Sequence, residues 1–340
     1  MSERAPGGAL PGLPEGKVDP EVLAPLLPVA AGPGAGVLIG PEVGEDAAVV
    51  TGAERLVLTS DPITLAGSEV GRYAVAVNCN DLVAMGADPQ YLTTSILVPP
   101  GTDGAVLEAL FAELAAAAAA AGVAWVGGHT EVTGAVVRPV VVGAAVGVLA
   151  GAPWSSAGAQ IGDAVVLTKW VALEGSTLLA RERRDARAVL GPDHAEVAGW
   201  LDDPGISVVA EGRVLREFAI HAAHDPTEGG VAQGIHELAS CSGVAIEIEA
   251  TELPVKPATR TLCDALGIDH LGLLASGALL FTAPPKVARR AARALHDAGI
   301  PAAMIGAVHA GSGVTLRTGD RSTPLPSFPQ DEISRLGAQA

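Results

Sequence analysis

The sequence predicts a mixed α/β protein of two domains, and three observations predict it. Short apolar runs alternate with helical patterns, as when strands and helices interleave. A stretch rich in Gly, Ala, Ser and Pro at 151–162 separates two such series. The 340 residues suffice for two cores. They are 49% hydrophobic but only 3% aromatic, which suits closely packed layers of small aliphatic side chains.

In the first half, 47–50 and 55–60 read as strands around a Thr51-Gly52 turn. A helix is expected at 72–85, with Val75, Leu82 and Met85 on one face and Gly86 as its stop. A strand at 91–98, an alanine-rich helix at 103–121 ending at Gly122, and strands at 123–127 and 136–148 follow. The second half opens on the strand in Asp163-Ala-Val-Val-Leu-Thr-Lys169. Helices are expected at 175–184, 206–218 and 229–241, strands at 244–249, 278–282 and 301–308, and a helix at 286–298. Residues after Ser322 are expected to be irregular.

Composition narrows the function. A formal charge of -17 without any basic run argues against a nucleic-acid partner. Cys79, Cys241 and Cys263 form no CxxC pair, which points to a reducing cytoplasm. Cys79 reads as a small buried hydrophobe rather than a reactive thiol. The Gly- and Pro-rich residues 1–15 lack the apolar centre of a signal peptide. The charge-free stretch 139–162 is long enough to span a bilayer, but its glycines, prolines, Ser155, Ser156 and Gln160 favour strand plus linker. A soluble protein with no membrane partner is expected.

Four acids carry the chemistry. Asp46 lies in Gly44-Glu45-Asp46-Ala47-Ala48, Asp61 in Thr59-Ser60-Asp61-Pro62, Asp81 in Asn78-Cys79-Asn80-Asp81-Leu82, and Asp225 in His224-Asp225-Pro226-Thr227-Glu228-Gly229-Gly230. Carboxylates in such apolar or glycine-rich surroundings are normally neutralised, paired or bound to metal. Hard oxygen ligands suit Mg²⁺, which also takes up substrate phosphates. The reading is a Mg-nucleotide site assembled from distant parts of the chain.

Asp61 ends an apolar strand, where α/β ligands gather, although an Asp-Pro turn explains it equally well. Asn78 and Asp81, three apart on a helix, can act on one ligand. The segment from His224 to Gly230 is the strongest element. Thr227 can cap a helix whose Val231, Ile235 and Leu238 form a buried stripe. Gly229 and Gly230 let another group approach the backbone, and bare amides at a helix start suit phosphate. Gly127-Gly128-His129-Thr130-Glu131 follows a strand and offers another wall, with His129 as acid/base or ligand, though local hydrogen bonding is the commoner use of histidine. His221 and His224 lack further partners for zinc. No P-loop, GxGxxG or GxSxG motif is present.

In this order the segments resemble the aminoimidazole-ribonucleotide synthetase (PurM-like) superfamily, and within it the hydrogenase-maturation group HypE. The resemblance runs from about residue 40 to about residue 308. It also rests on Asn80-Asp81-Leu-Val-Ala-Met-Gly-Ala, Gly162-Asp163-Ala-Val-Val-Leu-Thr-Lys169, Ser242-Gly-Val-Ala-Ile-Glu247-Ile and Leu253-Pro-Val-Lys-Pro. It implies a two-domain PurM-like fold: a flexible tail 1–20, an ATP-binding domain 21–152, a second domain 160–320 and an irregular tail 321–340. The N-terminal domains would pair into the β-barrel of a homodimer. ATP and Mg²⁺ are the implied cofactors, with Asp46, Asp61, Asp81 and Asp225 as metal and phosphate-site acids. Asn80 would position phosphate, Arg72 would offset its charge, and Thr227, Gly229 and Gly230 would contact it, with His129 and Asp225 in catalysis. The implied chemistry is activation of an amide- or carbonyl-type oxygen by phosphorylation, with a hydrogenase-maturation protein as partner in the cytoplasm. Three positions depart from HypE: the chain ends Ile333-Ser-Arg-Leu-Gly-Ala-Gln-Ala340 without a terminal cysteine, His129 replaces an acid, and Glu228 replaces an arginine. These keep two alternatives open, a non-catalytic HypE-like partner and a small-molecule kinase resembling thiamine-monophosphate kinase.

Overall fold

The computed structural model describes residues 56–336 and, before them, 16–17, 22, 24–26, 37–39 and 49–50. Two compact units emerge, Met1–Asn78 with Pro89–Val148 and Cys79–Asp88 with Leu149–Ala340.

The first unit holds β1 (Gly16–Lys17), β2 (Val37–Ile39), β3 (Val49–Val50), β4 (Leu56–Ile63), β5 (Asp88–Val98), β6 (Ala124–Val132) and β7 (Val140–Val148). Five of these form a sheet in the order β1-β6-β5-β7-β4, with β5 and β6 parallel and β4 antiparallel to β7. The helix α1 (Val70–Ala84) begins in this unit, and α2 (Gly104–Ala121) lies wholly within it. Asp103 caps α2 by accepting from the Ala105 amide at 2.9 Å. By length and apolarity α2 could cross a membrane. Its Leu107, Leu110, Phe111 and Leu114 are nevertheless buried, and the Phe111 ring meets Trp125 of β6 at 5.3 Å.

Two expectations change here. Asp61 neither ends a strand nor opens a turn, because β4 continues through Asp61 and Pro62, with Asp61 opposite Gly143. An edge strand tolerates a proline that cannot donate to the ladder. Likewise, the Gly127-Gly128-His129 segment does not follow β6 but runs inside it. Gly128 has φ +148, and a Cβ there would sit 1.8 Å from the Thr94 carbonyl oxygen, so only glycine fits this irregularity in the β5–β6 register.

Asn78 is the fastener of this unit. Fully buried in α1, its Oδ1 accepts from the Asp61 amide at 3.0 Å, while Nδ2 donates to the Asp61 and Ala74 carbonyls at 3.3 and 2.9 Å. Gly143 makes room, since a Cβ there would lie 2.2 Å from Nδ2. Asn78 therefore ties helix to strand rather than sharing a ligand with Asp81.

The second unit contains β8 (Ala164–Thr168), β9 (Ala222–His224), β10 (Ala245–Glu249), β11 (Leu280–Ala283), β12 (Ala302–His309), β13 (Gly313–Thr318) and β14 (Arg321–Pro324). They form one mixed sheet in the order β14-β13-β10-β12-β8-β11-β9. Every residue of β8 and β11 is buried, as expected for central strands. Its helices are α3 (Leu173–Glu182), α4 (Ala186–Leu190), α5 (His194–Gly199), α6 (Val209–Leu215), α7 (Gly230–Ser242), α8 (Pro257–Leu266), α9 (Pro285–Asp297) and α10 (Glu332–Leu336). The helix α9 packs on β12 and β8, and α7 packs beside β13, β9 and β10. Val231, Ile235 and Leu238 form the buried stripe of α7. A buried ion pair, Lys169 Nζ to Glu211 at 2.9 Å, ties the end of β8 to α6.

The irregular tail after Ser322 is a correction: it finishes β14 and forms α10. Its order comes from tertiary contacts, which the short local pattern does not reveal.

Replacing Asn78 by alanine leaves a cavity at a fully buried position and removes the side-chain partner of the half-buried Asp61 amide and carbonyl. The expected cost is on the order of 3 kcal/mol by urea denaturation. A change within about 0.5 kcal/mol, the range of ordinary surface substitutions, would remove Asn78 from this role.

Candidate functional site

The richest chemistry of the second unit lies where β9 delivers Asp225 to the start of α7. Asp225 is 7% exposed. The chain then turns through Pro226, Thr227 and Glu228 into two successive left-handed glycines, Gly229 at φ +77 and Gly230 at φ +66. A Cβ on Gly229 would lie 2.4 Å from the Phe328 carbonyl oxygen, and one on Gly230 would lie 2.4 Å from that of Leu271. Glycine is thus required twice over, by conformation and by crowding. The expected Thr227 cap is absent: Gly229 is the N-cap and, as glycine, has no side chain to cap with. Thr227 contributes its backbone instead, its carbonyl accepting from Gly230 at 3.1 Å and Ala275 at 3.3 Å. The Gly229 amide donates to Asp331 Oδ2 at 2.8 Å, so a carboxylate from the C-terminal segment already sits at this helix start.

Two more acids stand near it. Glu174, in the first turn of α3, is buried, and its Oε2 lacks a hydrogen-bond partner. Burial, reinforced by the charges of Glu228 and Asp331, pushes its carboxyl up to about 7 despite hydrogen bonding to Ser276. Burial also raises Asp331, with Glu228 adding to it and amide donors, Gly229 among them, opposing it.

The other sequence-derived site residues are distributed as follows. Asp46 lies outside the described residues. Asp61 is half-buried within β4, and Asp81 is half-buried in α1. Among the described residues, no three His, Cys, Asp or Glu side chains are grouped to hold a metal ion. Asn80, expected to position phosphate, is fully buried; its Nδ2 donates to Ile206 O at 2.9 Å and its Oδ1 accepts from Val208 N at 2.8 Å. Phosphate contact would require those bonds to break. Arg72 pairs with Glu69 at 2.9 Å. His129 is exposed on β6, with Glu131 at 3.8 Å. Cys79 is buried, and burial followed by the Asp81 charge pushes its thiol up to about 12, which leaves it unreactive. His221 bonds Asp163 at 2.9 Å, and His224 lies between Ser156 at 3.1 Å and Glu237 at 2.9 Å, so the two histidines serve different partners.

Comparison with known proteins decides the family. Residues 44–149 match the model of the AIR synthase related protein N-terminal domain, and residues 160–319 match that of the C-terminal domain. The chain belongs to the AIR synthase related family. It is 31% identical to carbamoyl dehydratase HypE of Escherichia coli K12 over 79% of this chain and 81% of that protein. It is 30% identical to a putative hydrogenase expression/formation protein of Methanocaldococcus jannaschii, covering 85% of this chain and 87% of that protein. Among solved structures it is similar to E. coli HypE, at TM-score 0.75 and 27% identity over 87% of this chain and 94% of that one. It also resembles HypE in complex with ATP, at TM-score 0.70 and 26% identity, covering 84% and 89%. A HypE–HypF complex matches at TM-score 0.67 and 27% identity, covering 80% and 90%.

Within this AIR synthase related chain, sequence reasoning overlooked Glu174 and Asp331. Glu174 had a readable signal, the same one that marked Asp225: a lone acid in the apolar run Trp170-Val-Ala-Leu-Glu174-Gly. Asp331 had none, because its partner amide is 102 residues away in sequence.

Glu174 gives a pH dependence of definite sign. Below the ordinary value of 4.5 the folded and unfolded chains both keep this proton. Between there and about 7 the unfolded chain ionises first, so stability falls as pH rises through that window and then levels off. Glu174→Gln should remove this decline, with a gain on the order of 3 kcal/mol at pH 8 as the upper figure. Thermal melts of both proteins at pH 5 and pH 8 test it, and parallel behaviour would refute it.

Proposed function

We propose that this chain is an ATP- and Mg²⁺-dependent enzyme of HypE type that activates an amide- or carbonyl-type oxygen by phosphoryl transfer. The observation that carries this reading is the Asp225–Gly230 turn. It buries a carboxylate beside a helix start whose amide already holds an anionic oxygen, in a chain similar to a HypE solved with ATP. An all-oxygen donor set of aspartates fits Mg²⁺, which prefers one or two protein carboxylates plus substrate phosphates to a complete protein cage.

In this reading Asp225 would supply a carboxylate oxygen to Mg²⁺, the role that the resemblance implies also for Asp46, Asp61 and Asp81. When bound, Mg²⁺ would neutralise charge developing on the transferred group. The chain's own residues orient the phosphate by backbone donors and, with Arg72 released from Glu69, by one cation. His129 is positioned on an exposed sheet face, and the reading gives it proton transfer there. Thr227, Gly229 and Gly230 shape the turn, and Asn80 acts by fixing the backbone around 206–208.

The protein would work in the cytoplasm as a homodimer with a hydrogenase-maturation partner. Leu56 and Leu58 support the homodimer, being 47% and 71% exposed side by side on β4. A non-catalytic partner is the second reading, favoured by the added negative charge of Glu228 at the α7 start. Substrate-dependent ADP release would decide against it.

Calorimetric titration should show Mg-dependent ATP binding that EDTA abolishes. Asp225→Asn should weaken it at least about tenfold, the effect of losing one charged contact. Equal affinity in the variant, or none in the native protein, would overturn the reading. Leu58→Asp should shift light scattering toward the monomer mass. An unchanged dimer would place the interface elsewhere.

A further inference from the structure

Residues 325–336 form a strap across the start of α7. His236 of α7 meets the Leu325 and Pro326 carbonyls at 3.1 and 3.3 Å. The Phe328 ring lies against Gly272, where a Cβ would be only 2.2 Å from it, and the Phe328 carbonyl abuts Gly229. Asp331 then turns in: Oδ2 accepts from Gly229 N at 2.8 Å, and Oδ1 accepts from Ile333 N at 2.8 Å. Glu332 Oε2 accepts from Asp269 N at 3.2 Å and closes the strap.

The contact is occupied yet imperfect. A carboxylate at a helix N-terminus is favourable in itself. Here it lies near two other acids, Glu228 and Glu174. With the strap in place, the buried Oε2 of Glu174 has no partner, a cost normally avoided. A phosphate group arriving with its own divalent cation would improve both features. Its oxygen would take the Gly229 amide, and the cation would offset the surrounding carboxylates, giving Glu174 Oε2 the partner that this one atom lacks.

We propose that the strap is a tethered competitor: Asp331 occupies the amide that a metal-bound phosphate group takes in use, and the strap must leave before that group binds. This rests on the phosphoryl-transfer reading above and adds to it a self-blocking segment and a role for Glu174. No covalent step is involved.

The test uses the full chain, with inorganic phosphate in the presence of Mg²⁺ as probe. Asp331→Ala removes the competing carboxylate, and Phe328→Ala loosens the strap without touching the amide. Both should bind phosphate roughly tenfold more tightly than the native chain, the factor expected from removing a hydrogen bond to a charged acceptor. In the native chain, saturating phosphate should speed hydrogen exchange across 326–336. Unchanged or weaker phosphate affinity in both variants, or strap exchange indifferent to saturating phosphate, overturns the proposal. If Mg-ATP still binds in that case, only the strap idea falls. If neither ligand binds any of the proteins, the phosphoryl-transfer reading falls with it.

Discussion

The start of α7 is the constraint on which the functional architecture turns. Two consecutive residues must be left-handed while the carbonyls of Phe328 and Leu271 press where their side chains would project. That crowding brings a bare amide against a carboxylate and leaves Asp225 enclosed just upstream. A side chain at either glycine would push the C-terminal segment or the 271–273 backbone away. The same geometry that shapes the helix start therefore governs what can reach it.

Buried polar groups in this chain serve two purposes. Asn78 and Asn80 are fully buried side chains whose polar atoms pair with backbone groups, which is why an apolar helix tolerates them. Asp331 is paired on both oxygens while Glu174 Oε2 has no partner, and burial displaces both carboxyls upward. Fully paired groups hold the fold together, and a buried group short of a partner is where a ligand can supply one.

Much of this was legible from the residues alone. The mixed α/β class followed from alternating patterns, and the α7 stripe of Val231, Ile235 and Leu238 followed from helical spacing. The family followed from the ordered acid segments and is matched across both domain models. Local readings failed where partners lie far apart in sequence. Asn78 looked like half of a ligand pair because its true partner, Asp61, is on a separate strand. Thr227 looked like a cap because the crowding at Gly229 comes from Phe328. The tail after Ser322 carries too short a pattern to predict α10, whose neighbourhood is held by Gly229 and Asp269. The β13–β14 hairpin was not predicted, because its mostly exposed residues at the sheet edge carry no clear apolar alternation.

The most direct measurement is a crystal structure of the full chain grown with Mg²⁺ and a non-hydrolysable ATP analogue. The account predicts a metal-bridged phosphate within coordination reach of Asp225, with Asp331 withdrawn from the Gly229 amide. A bound nucleotide whose phosphates stay clear of Asp225, while the Asp331 contact persists unchanged, would contradict it.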